Sequence, residues 1–188
     1  RIPILFLPGD TYANRMPDPV LQQVEHFNNP GITANDAFKP VTRYFDRITR
    51  PEQILQSLPQ AIQVMIDPAD AGPACLSLCQ DIQGETFDYP EEFFKERIHA
   101  IRRPKPDDFE IKNAAEKIKN SKNPIIISGG GVFYSDAMEE LGNFAIKHNI
   151  PVTQTVMGYS TMKRDHSHFL GPIGGLGGKA ANNFAKKT

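Results

Sequence analysis

The sequence predicts an α/β protein made of two parallel-sheet units in series, and three observations carry that expectation. Residues 124–155 run from a β-branched segment into three glycines, a helix-spaced segment and a second short apolar run. Residues 50–82 pair a helical pattern with a strand pattern, and a proline-rich basic segment separates the two regions. Strand, glycine turn, helix and strand within 32 residues make a βαβ unit, which requires parallel strands and a right-handed crossover.

In chain order, Ile2 to Leu7 is an apolar run closed by Pro8-Gly9 and reads as a strand. Val20, Leu21 and Val24 suggest a short helix, and Asn28-Asn29-Pro30-Gly31 a turn. Thr49 and Glu52 have capping-box spacing. Ile54, Leu58, Ala61, Ile62 and Met65 follow on one face, so a helix is expected over roughly residues 50–66, bent at Pro59. Ala74 to Cys79 is the next strand. Its two cysteines, Cys75 and Cys79, would sit about 13 Å apart on a strand, beyond the ~7 Å reach of a disulfide, and read as free core thiols.

A short helix is expected over residues 91–98, and Arg102-Arg103-Pro104-Lys105-Pro106 is too proline-rich for helix or sheet. The linker is therefore placed at 101–107, between units at 1–100 and 108–188, with its cations solvated. Beyond it, Asp107 and Glu110 can cap a helix bearing Ile111, Ala114, Ala115 and Ile118. Pro124 to Ser128 reads as a strand buried on both sides. Ser135 is expected to cap a helix with Asp136 and Glu139 in its first turn and Met138, Leu141, Phe144, Ala145 and His148 on one face, and Pro151 to Thr155 is the following strand. Lys179 to Thr188 reads as the opening of a helix, and both ends look like cuts in a longer chain.

Function classes narrow quickly. Lys+Arg at 21 against Asp+Glu at 22 gives a net charge of −1, which speaks against a nucleic-acid partner. No apolar run approaches the ~18 residues of a membrane helix and no secretory pattern opens the chain, so a soluble, cytoplasmic protein without a membrane partner is expected. Gly129, Gly130 and Gly131 follow a strand and open onto a helix, as a tight turn or a phosphate cradle, but Tyr134 breaks the dinucleotide pattern. Gly175 and Gly177, with Ala180, fit its looser form, although the acidic residue due ~20 positions on would lie past residue 188. Ile173 and Ala180 exclude a P-loop. His166 and His168 read as a surface loop, and neither G-x-S-x-G nor H-E-x-x-H occurs. Asp10 and Arg15, in a loop reaching Asp18, and Asp36 with Lys39 in a second irregular stretch, are the substrate-side candidates.

Several segments together resemble one family. Pro124 to Val132, Ala137 and Leu141, Ile150-Pro151-Val152 with Thr155, and Leu170-Gly171 leading to Gly177 resemble the start of the middle domain of thiamine-diphosphate-dependent enzymes related to acetohydroxyacid synthase. Gly72-Pro73-Ala74, Leu78 and Gln80-Asp81-Ile82-Gln83 resemble the last strand of their pyrimidine-binding domain. Phe6 to Thr11, Asn35 to Phe38, Tyr44 to Ile48, and Gln80 to Glu85 with Asp88-Tyr89-Pro90 look most like the branch that hydrolyses a cyclic dione in myo-inositol breakdown.

The resemblance implies the C-terminal part of a pyrimidine-binding domain over 1–100 and the N-terminal part of a Rossmann-like central domain over 108–188. For the parent enzyme it implies thiamine diphosphate and Mg2+, a cyclic dione substrate opened to a deoxy-glucuronate, and a homo-oligomer. The activating glutamate would lie upstream and the Gly-Asp-Gly motif with its Asn-Asn downstream. This segment would then hold no catalytic or metal residue and be inactive alone. Gly9-Asp10 followed by Asn28-Asn29 mimics that motif, but Thr11 replaces its third glycine and the interval is short. The central domain binds FAD in some relatives and nothing in others; here Gly171 to Ala180 is the relevant place, and FAD is not expected. Two alternatives stay open: a carboligase with FAD in the central domain, and a non-catalytic nucleotide-binding or assembly module. Uncovered sheet edges predict self-association.

Overall fold

The computed structural model describes residues 1–14, 25–26 and 28–188. It divides into two compact units, Arg1–Arg102 and Arg103–Thr188. Arg15 and the helix expected around Val20, Leu21 and Val24 lie outside the described residues. No helix among the described residues is long and apolar enough to cross a membrane.

The first unit runs β1 (Leu5–Phe6), β2 (Gly9–Asp10), β3 (Glu25–His26), β4 (Asn29–Thr33), β5 (Tyr44–Ile48), α1 (Ile54–Ile66) and β6 (Ala74–Cys79). β6 is central: β1 and β2 pair along one side of it and β5 along the other, all parallel. Pro8 separates β1 from β2 because it has no N–H to give, yet its carbonyl still accepts from the Leu78 amide at 2.9 Å. Flanked on both sides, β6 is buried at every residue but Leu78. Alternation sends Ala74 and Leu76 toward α1, where they pack with Ala61, Ile54, Leu58 and Met65. Cys75, Ser77 and Cys79 face the other way.

Local departures from the sequence reading have local causes. α1 is entered through a 3-10 turn at Pro51–Gln53, and the capping acceptor is Gln53 rather than Glu52. Its Oε1 takes the Thr49 and Arg50 amides at 2.6 and 2.9 Å. Asn29-Pro30-Gly31, expected as a turn, lies in β4, paired antiparallel with β3. A strand with one neighbour among the described residues leaves an edge on which Pro30 costs no ladder bond. The helix expected over 91–98 shrinks to a 3-10 turn at Glu91–Phe94. Phe93 and Phe94 both pack on Tyr89, and neighbouring positions cannot share one face of an α-helix.

The second unit runs α2 (Asp108–Asn120), β7 (Ile126–Ser128), α3 (Gly130–Tyr134), α4 (Met138–His148), β8 (Val152–Gln154), β9 (Phe169–Pro172) and α5 (Lys179–Ala185). The strands are parallel in the order β7-β8-β9. Asp107 caps α2, accepting from the Phe109 amide at 2.8 Å. The core gathers Ala145, Val152 and Met162 with Ile126, Leu141 and Phe169. β7 is not buried on both sides: Ile126 is half-buried and Ser128 buried, but Ile127 on the other face is 53% exposed.

Ser135 does not cap the long helix. The chain first closes α3, with Ala137 N bonded to Val132 O and Asp136 N to Phe133 O, and Asp136 in the left-handed region at φ 56°. α4 ends in the same way, with Asn149 at φ 52° and Ile150 N on Ala145 O.

The turns after β7 and β8 are pressed together. A Cβ on Gly158 would stand 2.2 Å from the Ser128 carbonyl oxygen, whereas one on Gly131 would meet nothing within 4 Å. Gly158→Ala is therefore expected to lower stability by about 1–3 kcal/mol. Gly131→Ala should leave it nearly unchanged, and urea midpoints of the two variants check the contrast.

Candidate functional site

The sheet of the first unit has two unlike faces. The face toward α1 is mostly apolar, with one polar pair in which the Ser57 hydroxyl donates to Asp46. The opposite face carries Asp10 from β2, Ser77 from β6 and Arg47 from β5, with Arg47 level with Ser77 and Asp10 two residues further along, beside Cys79. Asp10 is 1% exposed. Its Oδ2 accepts from the Ser77 hydroxyl at 2.5 Å and from Arg47 Nε at 2.6 Å, and its Oδ1 from the Thr11 amide at 2.8 Å. Burial works to raise this carboxyl, but the hydrogen bonds from Ser77, Arg47, Thr33 and Thr11 prevail and hold it below the usual range.

Arg47 ties the sheet to what covers it. Besides Asp10, it donates to Gly31 O at 3.0 Å, Thr33 Oγ1 at 2.8 Å and Asp36 Oδ2 at 2.6 Å. Burial opposes the Arg47 charge, and the two carboxylates more than restore it. The 3-10 segment Ala34–Val41 lies over this face, anchored by Asn35, whose amide donates to Gly9 O and Ser77 Oγ at 2.7 and 2.8 Å, and by Phe38, edge-on to Phe6. Asp36 also accepts from the Thr33 amide at 2.7 Å and holds Lys39 at 2.5 Å. Against its burial, Lys39, Thr33 and Arg47 hold the Asp36 carboxyl far below the ordinary range. The Lys39 ammonium also lies 5.2 Å from the centre of the Phe45 ring, with its side chain 53% exposed.

Three of the four substrate-side candidates, Asp10, Asp36 and Lys39, thus converge in one cluster, and the residue that joins them, Arg47, escaped the sequence reading. Its signal was present: Asp46 and Arg47 put two charges inside a five-residue strand. The cleft beside the cluster, lined by Thr11, Ala13, Gly31, Thr33 and Arg47, measures about 40 Å³, room for a water or two and not for a sugar-sized ring. The loop after β2 is pinned by Asp81, whose carboxylate accepts from the Ala13 and Asn14 amides at 2.8 and 3.1 Å.

The two glycine turns of the second unit differ: the one after β7 packs against the turn after β8, and the one after β9 is held by hydrogen bonds to its neighbours. Gly129 precedes an α3 of five residues, and a Cβ on Gly130 would stand 3.3 Å from the Met157 carbonyl oxygen. After β9, Gly174 N and O bond to the Asn182 side chain, both at 3.0 Å. Gly177 N bonds Gly174 O and Gly178 N bonds Pro172 O, both at 2.9 Å. Gly175 is open to solvent, while a Cβ on Gly177 would stand 2.6 Å from Pro172 O. His168 bonds Asn149 and Ser167, and His166 Nδ1 takes the His168 amide. Arg103 is not merely solvated, for its Nε donates to Tyr134 O at 3.1 Å.

Comparison with known proteins places this geometry in context. Residues 111–188 match the family described as thiamine pyrophosphate enzyme, central domain. Over 188 residues the chain is 53% identical to the 3D-(3,5/4)-trihydroxycyclohexane-1,2-dione hydrolase of Clostridium perfringens (strain 13), covering all of this chain and 29% of that protein. It is 50% identical to the protein of the same name from Bacillus subtilis (strain 168), again over the whole chain and 30% of the relative. The chain thus spans about 30% of the length of these relatives. Among solved structures, benzoylformate decarboxylase from Polynucleobacter necessarius superposes with a TM-score of 0.67 at 24% identity, over 91% of this chain and 30% of that one. That likeness is one of fold, an α/β architecture.

Two outcomes follow from the cluster. Arg47→Met strands a carboxylate that is 1% exposed and should cost on the order of 3–5 kcal/mol in urea unfolding. Because the folded state lowers both Asp10 and Asp36, their contribution is complete above the unfolded aspartate value of about 3.9 and fades as pH falls through the lowered folded values. Asp36→Asn should make the fall in stability below about pH 4 shallower. The thiols give a separate outcome: burial and the Asp10 charge raise Cys75, and burial with Asp10 and Asp81 pushes Cys79 up to about 11. Neither should react with iodoacetamide at pH 8 until denaturant is added, as mass spectrometry would read.

Proposed function

Since this chain belongs to the thiamine-diphosphate-dependent enzymes, we propose that it is part of a hydrolase that cleaves a C–C bond of 3D-(3,5/4)-trihydroxycyclohexane-1,2-dione, opening the ring to a deoxy-glucuronate. The observation that carries the reading is the 53% identity, sustained over all 188 residues, to a protein of that name. We assign residues 1–100 to the C-terminal part of a pyrimidine-binding domain, 101–107 to a linker and 108–188 to the N-terminal part of the central domain. The two compact units and the central-domain match from residue 111 support that division.

Thiamine diphosphate with Mg2+ would supply an electron sink for the bond cleavage. The described residues do not fit that group: they include no set of three His, Cys, Asp or Glu side chains able to hold a metal ion. Asp10, the aspartate that follows Gly9, is committed to Arg47, Ser77 and Thr11. The proposal therefore places metal binding on none of the described residues and does not call on FAD. The amides of Gly174, Gly177 and Gly178 are already bonded, to the Asn182 side chain of α5, to Gly174 O and to Pro172 O.

The share of the reaction that falls to this chain is on the substrate side. Lys39 presents a half-exposed ammonium that can donate hydrogen bonds to the hydroxyl and carbonyl oxygens of a polyhydroxylated ring. Asp36 fixes it, and Asp10 supports the cluster from within. Arg15, outside the described residues, is retained as a candidate on its sequence position alone. The small-molecule dione is the proposed partner, with a homo-oligomer as the working assembly.

The test is to supply the full-length protein with thiamine diphosphate, Mg2+ and the dione and follow the products by NMR. Loss of the dione with appearance of one ring-opened acid is the expected result. A flavin-bearing protein that instead condenses two oxo acids would overturn it in favour of a carboligase.

A further inference from the structure

The Asp10–Arg47–Asp36–Lys39 chain of charges is more elaborate than holding a surface lysine requires. An i,i+3 lysine–aspartate pair forms on an exposed turn without help, and alone it is worth a few tenths of a kcal/mol, too little to fix one side-chain geometry. Here Asp36 is itself immobilised. Its Oδ2 receives Arg47 Nη2 at 2.6 Å and the Thr33 amide at 2.7 Å, which leaves Oδ1 for Lys39. Arg47 directs four N–H donations to Asp10, Gly31, Thr33 and Asp36, linking β2, β4 and the 3-10 segment. At 19% exposure and with these partners it is not the cation that meets a ligand, whereas Lys39 at 53% is placed to do so.

We propose that Arg47 is a positioning residue: it locks Asp36, and through Asp36 it fixes the place of the Lys39 ammonium at which the ring oxygens of the dione bind. This rests on the hydrolase reading above. The planar fork is essential to it, since a lysine at position 47 would bring charge without the divergent donors that reach Asp10 and Asp36 together.

The experiment is a double-mutant cycle on the full-length enzyme loaded with thiamine diphosphate, with KM and kcat for the dione as readouts. Lys39→Met should raise KM about tenfold, the worth of one charge-assisted hydrogen bond, with kcat little changed. Arg47→Lys and Asp36→Asn should each raise KM in the same way, yet add nothing when Lys39 is already Met. A merely structural role would lower Tm and leave KM alone, or raise KM equally in both backgrounds, and either result overturns the proposal. Should Arg47→Lys fail to fold, Asp36→Asn carries the cycle. A wild type that turns over the dione while Lys39→Met keeps its KM would sink this inference and leave the hydrolase reading standing. A wild type inert toward the dione would remove both.

Discussion

A carboxylate buried at the carboxyl end of a parallel strand governs much of the first unit. Asp10 is 1% exposed, and removing a charge from water costs several kcal/mol unless it is fully paired. The sheet meets that demand from every side: Ser77 from the central strand, Arg47 from the strand beyond it, Thr11 from its own chain. Arg47 then has donors left over, and these need acceptors above the sheet. Gly31, Thr33 and Asp36 provide them. The described cover over this face is thus tied to the sheet by side-chain hydrogen bonds rather than by a strand ladder.

The two faces of that sheet show how one strand serves two chemistries. β6 gives Ala74 and Leu76 to an apolar contact with α1, and Ser77 to the polar cluster. Toward the other end of the polar face the chemistry becomes aromatic, with Phe38 against Phe6 and Lys39 over Phe45. The glycine turns of the second unit contrast with this. Their glycines allow backbones to approach, as at Gly158 against Ser128, and in the turn after β9 the amides of Gly174, Gly177 and Gly178 are all bonded.

The regular elements were legible in the sequence wherever periodicity set them: α1, β6, α2, β7, α4 and β8 all follow apolar spacing. What escaped was decided by side chains that periodicity ignores. Ser135 carries the residue type of a cap, but the backbone bonds that close α3 around Asp136 take precedence. Pro30 signals a turn, yet an edge strand tolerates it. Of the site, Asp10, Asp36 and Lys39 could be chosen as charged residues in loops. Their union could not, because it depends on β2, β5 and β6 lying side by side, a long-range fact that no local window contains. Arg47 was hidden for the same reason, since its partners stand 11 to 37 positions away.

The four charges of the cluster balance, two negative and two positive, and their order from inside to outside has a meaning. Exposure rises from 1% at Asp10 through 14% at Asp36 and 19% at Arg47 to 53% at Lys39. At the inner end water cannot replace a lost partner, so the fold depends on the pair there. At the outer end it can, so losing the Lys39 contact would not endanger the sheet. A paired interior that ends in one half-exposed ammonium combines an anchor with an adaptable contact, and the exposure gradient separates the residues on which the fold depends from the one proposed to meet a substrate.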